Sequence, residues 1–315
     1  MDEPALERAK RPRILVGHDI VEDAITALEG PFALVSRPSA LELVSPSVAA
    51  AAAVTVRADS LDEAFLERAA SALPDVSTVV GLGGGTALDT AKFLAWRSGA
   101  ALMQVPSIVS VDASVTNTVA IRRDGRVHYE GFLVPDPVVI DLELIGRAPA
   151  RFNRAGVGDL LSIQTARVDW ALGHQAGKID FDASIDAAVA AVLADLYDLA
   201  DDVAHVSDRA IEHIVRAYAA VNALLIDAGH SGPEEGSEHY FAYAAEAVTG
   251  RSFVHGEIIG LGVVLMSGLQ GRDQARAAAY LDRCGVEWRP AQLGLDRELL
   301  IMILSGLPAF VRDTE

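Results

Sequence analysis

Two histidines and one aspartate are the residues of this chain best suited to do chemistry together. His239 in GSEHYFAYAAE and His255 in HGEIIGLGVVLM each stand where a helix is expected to begin. The first follows a Ser237 N-cap and the second follows the break at Thr249-Gly250. Asp159, in AGVGDLLSIQTARVDW, is a carboxylate at a helix start otherwise made of apolar and small residues. Two imidazoles and one carboxylate leave a coordination position open, the composition of a catalytic rather than a structural site for zinc or another divalent transition metal. A substrate oxygen would take the open position. Taken singly, each residue reads more simply as a satisfied polar group at a helix N-terminus, and no general spacing rule joins the three.

A second feature is VVGLGGGTALDTAKFLAW. Gly83, Gly84 and Gly85 follow a buried-looking strand and open an amphipathic helix, so closely approaching backbone amides and a helix N-terminus could receive a pyrophosphate. The glycines are contiguous and sit on the fourth strand, unlike the usual dinucleotide fingerprint. A tight strand-to-helix turn without a ligand is the alternative. The simpler reading of Asp89 and Lys92 is an i, i+3 surface pair worth about a few tenths of a kcal/mol, but their order in GGGxxxDxAK says more.

The elements that must position these residues follow from periodicity. Strands are expected at 13–17, 32–36, 53–56, 78–83, 101–106 and 138–141, with helical spacing between them, as in LDEAFLERAASAL at 61–73. The alanine run 49–53 reads as a short helix end. VAIRRDGRVHYE reads as a hairpin turning at Asp124-Gly125. Such alternation predicts a parallel, Rossmann-like sheet covered by helices. From Pro149 onward only helical patterns occur. The expected organisation is therefore an α/β domain over 1–150 and an all-α domain over 151–315.

Composition narrows the partners. The 315 residues carry a formal charge of −18 and only three lysines, Lys10, Lys92 and Lys178, which argues against a nucleic-acid partner. Cys284 is the single cysteine, so a reducing compartment is expected. The charged N-terminus lacks a signal-peptide core and no apolar run approaches a membrane span, so a cytoplasmic protein without a membrane partner is expected.

The runs GGGTALDTAK, PSIVSVDAS, APARFNRAGVGDLLSIQTARVDWAL, GSEH and HGEIIGLG together resemble the sn-glycerol-1-phosphate dehydrogenases. These are relatives of glycerol dehydrogenase, the iron-containing alcohol dehydrogenases and 3-dehydroquinate synthase. The resemblance spans residues 13–270; its most specific part is the GD-to-DW segment, whereas the glycine motif is shared by the wider superfamily. It implies a dehydroquinate synthase-like fold in which an N-terminal NAD(P)-binding domain faces a helical metal-binding domain, with the active site in the cleft. It implies Asp159, His239 and His255 as ligands of one divalent metal, zinc with nickel or iron as alternatives. It also implies Gly84, Gly85 and Asp89 at the pyrophosphate, Ser107, Ser110 and Thr116 at the cofactor, Asp112 at the substrate, and a homo-oligomer. The implied reaction is reversible hydride transfer to a small phosphorylated ketone, dihydroxyacetone phosphate giving sn-glycerol-1-phosphate.

Departures from the family pattern bear on substrate and cofactor. Tyr243 stands where the family places a second histidine, four residues after His239. ASVTNT follows Asp112 where the family has a glycine, small residues and a proline, and a lysine common in the next hairpin is missing. Arg122, Arg123, Arg126 and His128 then read as phosphate partners or as solvated hairpin charges, the latter being the simpler reading. The chain also looks short at its C-terminal end beside the family. Arg37 follows the second strand where an acidic residue would hold the adenosine ribose of NAD, and arginine there suits the 2′-phosphate of NADP. Three alternatives stand beside the dehydrogenase: a sugar-phosphate cyclase of the 3-dehydroquinate synthase type, a non-catalytic scaffold, and a dehydrogenase of another small alcohol. The cyclase is disfavoured by Asp159 in place of a glutamate and by the scarcity of lysine.

Overall fold

A computed structural model describes residues 11–123 and 126–312. Six parallel strands form one sheet in the order β1-β8-β5-β4-β2-β3. They are β1 Ile14–Gly17, β2 Phe32–Ser36, β3 Val54–Arg57, β4 Thr78–Gly83, β5 Ala101–Pro106 and β8 Val138–Asp141. An antiparallel pair, β6 Val119–Arg123 and β7 Arg126–Glu130, stands apart from that sheet. Its expected Asp124-Gly125 turn lies outside the described residues. The alanine run ends a short helix, Pro46–Ala51, whose N-cap Ser45 accepts from the Ser47 amide.

The sheet is buried on both faces, as parallel sheets are when crossover helices cover them. Alternation along β2 divides the core: Ala33 and Val35 pack with Val79, Leu102 and Phe93, while Phe32 and Leu34 pack with Val80, Leu82 and Val105. Counting helices of nine residues or more, α1 is Glu63–Ser71 and α2 is Gly85–Ser98. Asp62 caps α1 by accepting from the Ala64 and Phe65 amides, and Gly99, at φ +72°, closes α2.

Beyond Pro149 every described element is a helix: α3 Ala150–Leu160, α4 Ile163–Gln175, α5 Ala183–Tyr197, α6 Asp208–Ala228, α7 Ser237–Thr249, α8 His255–Gln270, α9 Gln274–Cys284 and α10 Arg297–Arg312. The expected α/β region followed by an all-α region is thus what the chain forms. Two compact units result. One holds the residues up to Pro149 together with Ile211–Asn222 from the middle of α6; the other holds Ala150–Ala210 and the residues from Ala223 onward. Among the described residues, no helix is long and apolar enough to cross a membrane.

Candidate metal and dinucleotide sites

Asp159, His239 and His255 each offer a ligand atom, and these atoms lie within 4.8 Å of one another. His255 Nε2 is 3.2 Å and His239 Nε2 3.6 Å from Asp159 Oδ1. Asp159 and His239 are buried, while the His255 side chain keeps 32% of its exposure, so the cluster has one accessible side. Burial alone would push the Asp159 carboxyl up, but the His255 charge and hydrogen bonds from both imidazoles hold it well below the carboxylate range. Burial disfavours the charged form of His239, yet its contacts with Asp159 and Glu238 hold it well above the ordinary histidine value. This concentration of acceptor and imidazole chemistry is what a divalent cation would replace protons in.

The three ligands sit on three different helices, and glycines let those helices meet. A Cβ on Gly158 would overlap the Gly256 carbonyl and lie 2.8 Å from its carbon; a Cβ on Gly256 would lie 2.6 Å from the Ala155 carbonyl carbon. Backbone therefore touches backbone where α3 crosses α8, one residue from Asp159 on one side and one from His255 on the other. Gly262 does the same for α7, since a Cβ there would lie 2.8 Å from the Glu238 carbonyl oxygen. Gly250, at φ +62°, ends α7 and turns the chain toward His255. Gly256→Ala is expected to cost about 1–3 kcal/mol, because backbone atoms cannot swing aside as a side chain can, and to weaken metal binding in step. Thermal melting with and without added metal measures both.

Two details differ from expectation. Asp159 lies at the last turn of α3 rather than at a helix start, because the helical pattern begins nine residues earlier, at Ala150. Gly236, not Ser237, occupies the N-cap of α7; Ser237 instead donates its amide and hydroxyl to Asp169 Oδ2 at 2.8 and 2.6 Å. His239 remains in the first turn of α7.

Sequence reasoning missed the residues that orient these ligands. Glu238 is fully buried: its Oε1 meets His239 Nδ1 at 2.9 Å and accepts from the Gly236 amide, and its Oε2 accepts from Thr165 Oγ1 at 2.6 Å. With Nδ1 donating to the Glu238 carboxylate, Nε2 is the nitrogen that would give its lone pair to a cation beside Asp159. Glu257, also buried, receives both guanidinium arms of Arg151 at 2.6 and 2.7 Å and ties the start of α8 to α3. The only signal was an acidic neighbour to each histidine, in EH and HGE. Glu238→Gln is expected to lower metal affinity by about 10–100-fold while leaving the three ligands in place. Competition against a fluorescent zinc chelator reads this directly.

In the first unit, the glycine loop sits at the C-terminal edge of the parallel strands, where open α/β sheets bind ligands. Register pairs Gly83 of β4 with Pro106 of β5, and Ser36 of β2 with Leu82. The loop, Ser107 and Arg37 thus share one edge. Gly83 has φ +145°, and Cβ atoms on Gly84 and Gly85 would press on Ile108 and Val111 at 2.9 and 3.2 Å. The glycines thus let the segment from Ser107 onward lie against the loop while the first amides of α2 have no intrahelical acceptor. Ser107 and Ser110 are buried; Asp112 opens a single 3-10 turn, Asp112–Ser114; Arg37 is exposed.

The Asp89–Lys92 pair is not on the surface. Lys92 is fully buried, 3.0 Å from Asp89, and its ammonium donates to Thr116 Oγ1 and the Thr118 carbonyl, both at 2.7 Å. Burial pushes the Asp89 carboxyl up despite the neighbouring ammonium. Thr116 is therefore joined to α2 through Lys92. In the hairpin, Arg123 is held by Glu63 and Glu130, each at 2.6 Å. In the second unit, Tyr243 lies one turn after His239, ring centroids 6.2 Å apart, and its hydroxyl donates to Glu235 at 3.4 Å.

Residues 33–149 match the family model described as iron-containing alcohol dehydrogenase. In fold the chain is similar to glycerol dehydrogenase from Schizosaccharomyces pombe, with a TM-score of 0.74 at 19% identity, over 95% of this chain and 82% of that one. The fold class is that of the iron-containing alcohol dehydrogenases. In sequence, the chain is 30% identical over 248 residues to glycerol-1-phosphate dehydrogenase (NAD(P)+) from Hyperthermus butylicus, covering 77% of this chain and 71% of that protein. It is 26% identical over 313 residues to the enzyme of the same name from Sulfurisphaera tokodaii, covering 93% and 87%. The chain belongs to the glycerol-1-phosphate dehydrogenase family.

Proposed function

We propose that this chain is a metal-dependent NAD(P)H oxidoreductase interconverting dihydroxyacetone phosphate and sn-glycerol-1-phosphate. The observation that carries the reading is the convergence of Asp159, His239 and His255 in a member of this family. Two nitrogens and one carboxylate oxygen fit one divalent ion, zinc first, with nickel or iron as alternatives. Bound there, it would supply Lewis acidity toward the substrate oxygen.

The chain's own residues do the rest. Asp159 contributes the anionic donor, and Glu238 fixes the tautomer of His239 through Nδ1. In the direction of ketone reduction, a bound reduced nicotinamide would supply the hydride, and a proton from the protein would complete the secondary alcohol. We assign that proton to Tyr243 Oη, a phenol hydroxyl one turn after His239. Asp112 is assigned to a substrate hydroxyl. Gly83, Gly84, Gly85, Ser107 and Ser110 are assigned to the dinucleotide, with Asp89 and Thr116 shaping that site through Lys92. This makes residues 1–150 the NAD(P)-binding domain and 151–315 the metal-binding domain. Exposed Arg37 is assigned to the 2′-phosphate, giving preference for NADP. A cytoplasmic homo-oligomer completes the reading, in keeping with the single cysteine and strong negative charge. Tyr243 in place of the family histidine favours a second reading, reduction of a different small hydroxyketone.

Metal-stripped protein re-supplied with Zn²⁺, Ni²⁺ or Fe²⁺ should oxidise NADPH faster with dihydroxyacetone phosphate than with dihydroxyacetone. Its kcat/KM should be higher for NADPH than for NADH. Cofactor binding without turnover on any metal would move the assignment to the second reading, and NADH preference would remove the role given to Arg37.

A further inference from the structure

The helical unit contains a cavity of about 460 Å³ bounded by α4, α5 and the junction of α8 with α9. None of the three clustered ligands lines it, and its size lies in the range of small-molecule pockets. Its apolar lining is Val168, Ala171, Leu172, Phe181 and Leu193, with Ala190 and Ala194. Its polar floor is held rigidly. Gln164 donates to Ser267 Oγ at 2.7 Å and accepts from the Tyr197 hydroxyl; Gln270 donates to the Thr165 carbonyl and to Asp169 Oδ1 at 3.1 and 2.9 Å.

The charged groups around the cavity are Arg167, Arg272, Arg276, Asp186 and Asp273. Arg167 is engaged by Asp186 through both guanidinium arms, at 2.6 and 2.7 Å. The Arg276 guanidinium carbon lies over the Tyr197 ring, 3.8 Å from its centroid, a cation–π contact that leaves its N–H donors without a carboxylate partner among the described residues. The Arg272 side chain is exposed and has no ion pair among the described residues. A local excess of positive charge beside an apolar, aromatic wall is unusual in a chain of net charge −18. With Arg167 paired to Asp186, the lining leaves Arg272 and Arg276 against Asp273, one positive charge in excess, which favours an anionic ligand over a cationic one.

We propose that this cavity is a second ligand site, separate from the metal cluster, which takes a small amphipathic anion: a phosphate or carboxylate carried on an aromatic or apolar body. The body lies against Phe181 and the aliphatic wall, and the anionic group meets the forks of Arg272 and Arg276. The proposal is independent of the metal reading.

Calorimetric titration of the intact protein with 1-naphthyl phosphate tests it, with 1-naphthalenemethanol as the neutral analogue. Arg272→Glu and Ala194→Trp alter two exposed positions on the cavity rim, one by charge and one by filling space. Saturable binding of the phosphate ester is expected, weakened about tenfold or more by each variant, with the neutral analogue weaker by a similar factor. Absence of binding overturns the proposal. Binding that the variants leave unchanged also overturns it, because the anion then sits elsewhere, as does equal binding of the neutral analogue. Should one variant fail to fold, the other decides.

Discussion

Replacing Asp159 by alanine is expected to empty the metal centre and to lower turnover by about three orders of magnitude or more. Asp159 is the one anionic member of the cluster and the atom both imidazoles face, His255 at 3.2 Å and His239 at 3.6 Å. Without it, two neutral imidazoles remain as donors, and a site of two neutral donors holds a divalent ion far less tightly than one with a carboxylate. Elemental analysis should find metal close to one per chain in the parent protein and a small fraction of that in the variant after the same dialysis. Asp159→Asn separates charge from shape: it keeps an oxygen at the position but loses the negative charge, and should fall between the two. Retention of full metal content by Asp159→Ala would remove this residue from the ligand set.

The largest expected effect on stability lies in the other unit. Lys92→Met should destabilise the protein by about 3–5 kcal/mol, the typical result of removing one partner from a buried ion pair. The ammonium is fully buried and satisfies three acceptors at once: the Asp89 carboxylate, the Thr116 hydroxyl and the Thr118 carbonyl. Methionine fills much the same volume, so the loss reports the stranded acceptors rather than a cavity. Adding Asp89→Asn removes the uncompensated charge, and the double variant should recover part of the loss, a coupling that a double-mutant cycle quantifies. Urea melts should show the midpoint shift at an unchanged slope. Because Lys92 joins α2 to the segment entering β6, the single variant should also weaken NADPH binding.

Local structure was largely legible in the chain because it depends on neighbours a few residues away. Runs of β-branched residues bounded by turns mark strands, and apolar residues at helical spacing mark helices. The expected strand at 78–83 is β4, Thr78–Gly83, and the expected strand at 101–106 is β5, Ala101–Pro106. The break at Thr249-Gly250 is visible because a glycine is needed where φ turns positive. Residue types alone also singled out two histidines and an aspartate as a possible donor set.

What only the tertiary structure decided is everything that depends on distant segments meeting. Nothing in the vicinity of Asp159 or His239 encodes their 3.6 Å approach across 80 positions; it follows from helices that Gly158, Gly256 and Gly262 allow to touch backbone to backbone. Glu238 becomes an orienting group only because α4 brings Thr165 to its second oxygen. Asp89 and Lys92 have the spacing of an exposed pair, and the same spacing is buried once α2 packs between the sheet and the β6 strand. Periodicity specifies which face of an element is turned inward, whereas burial and coordination are set by what packs against that face.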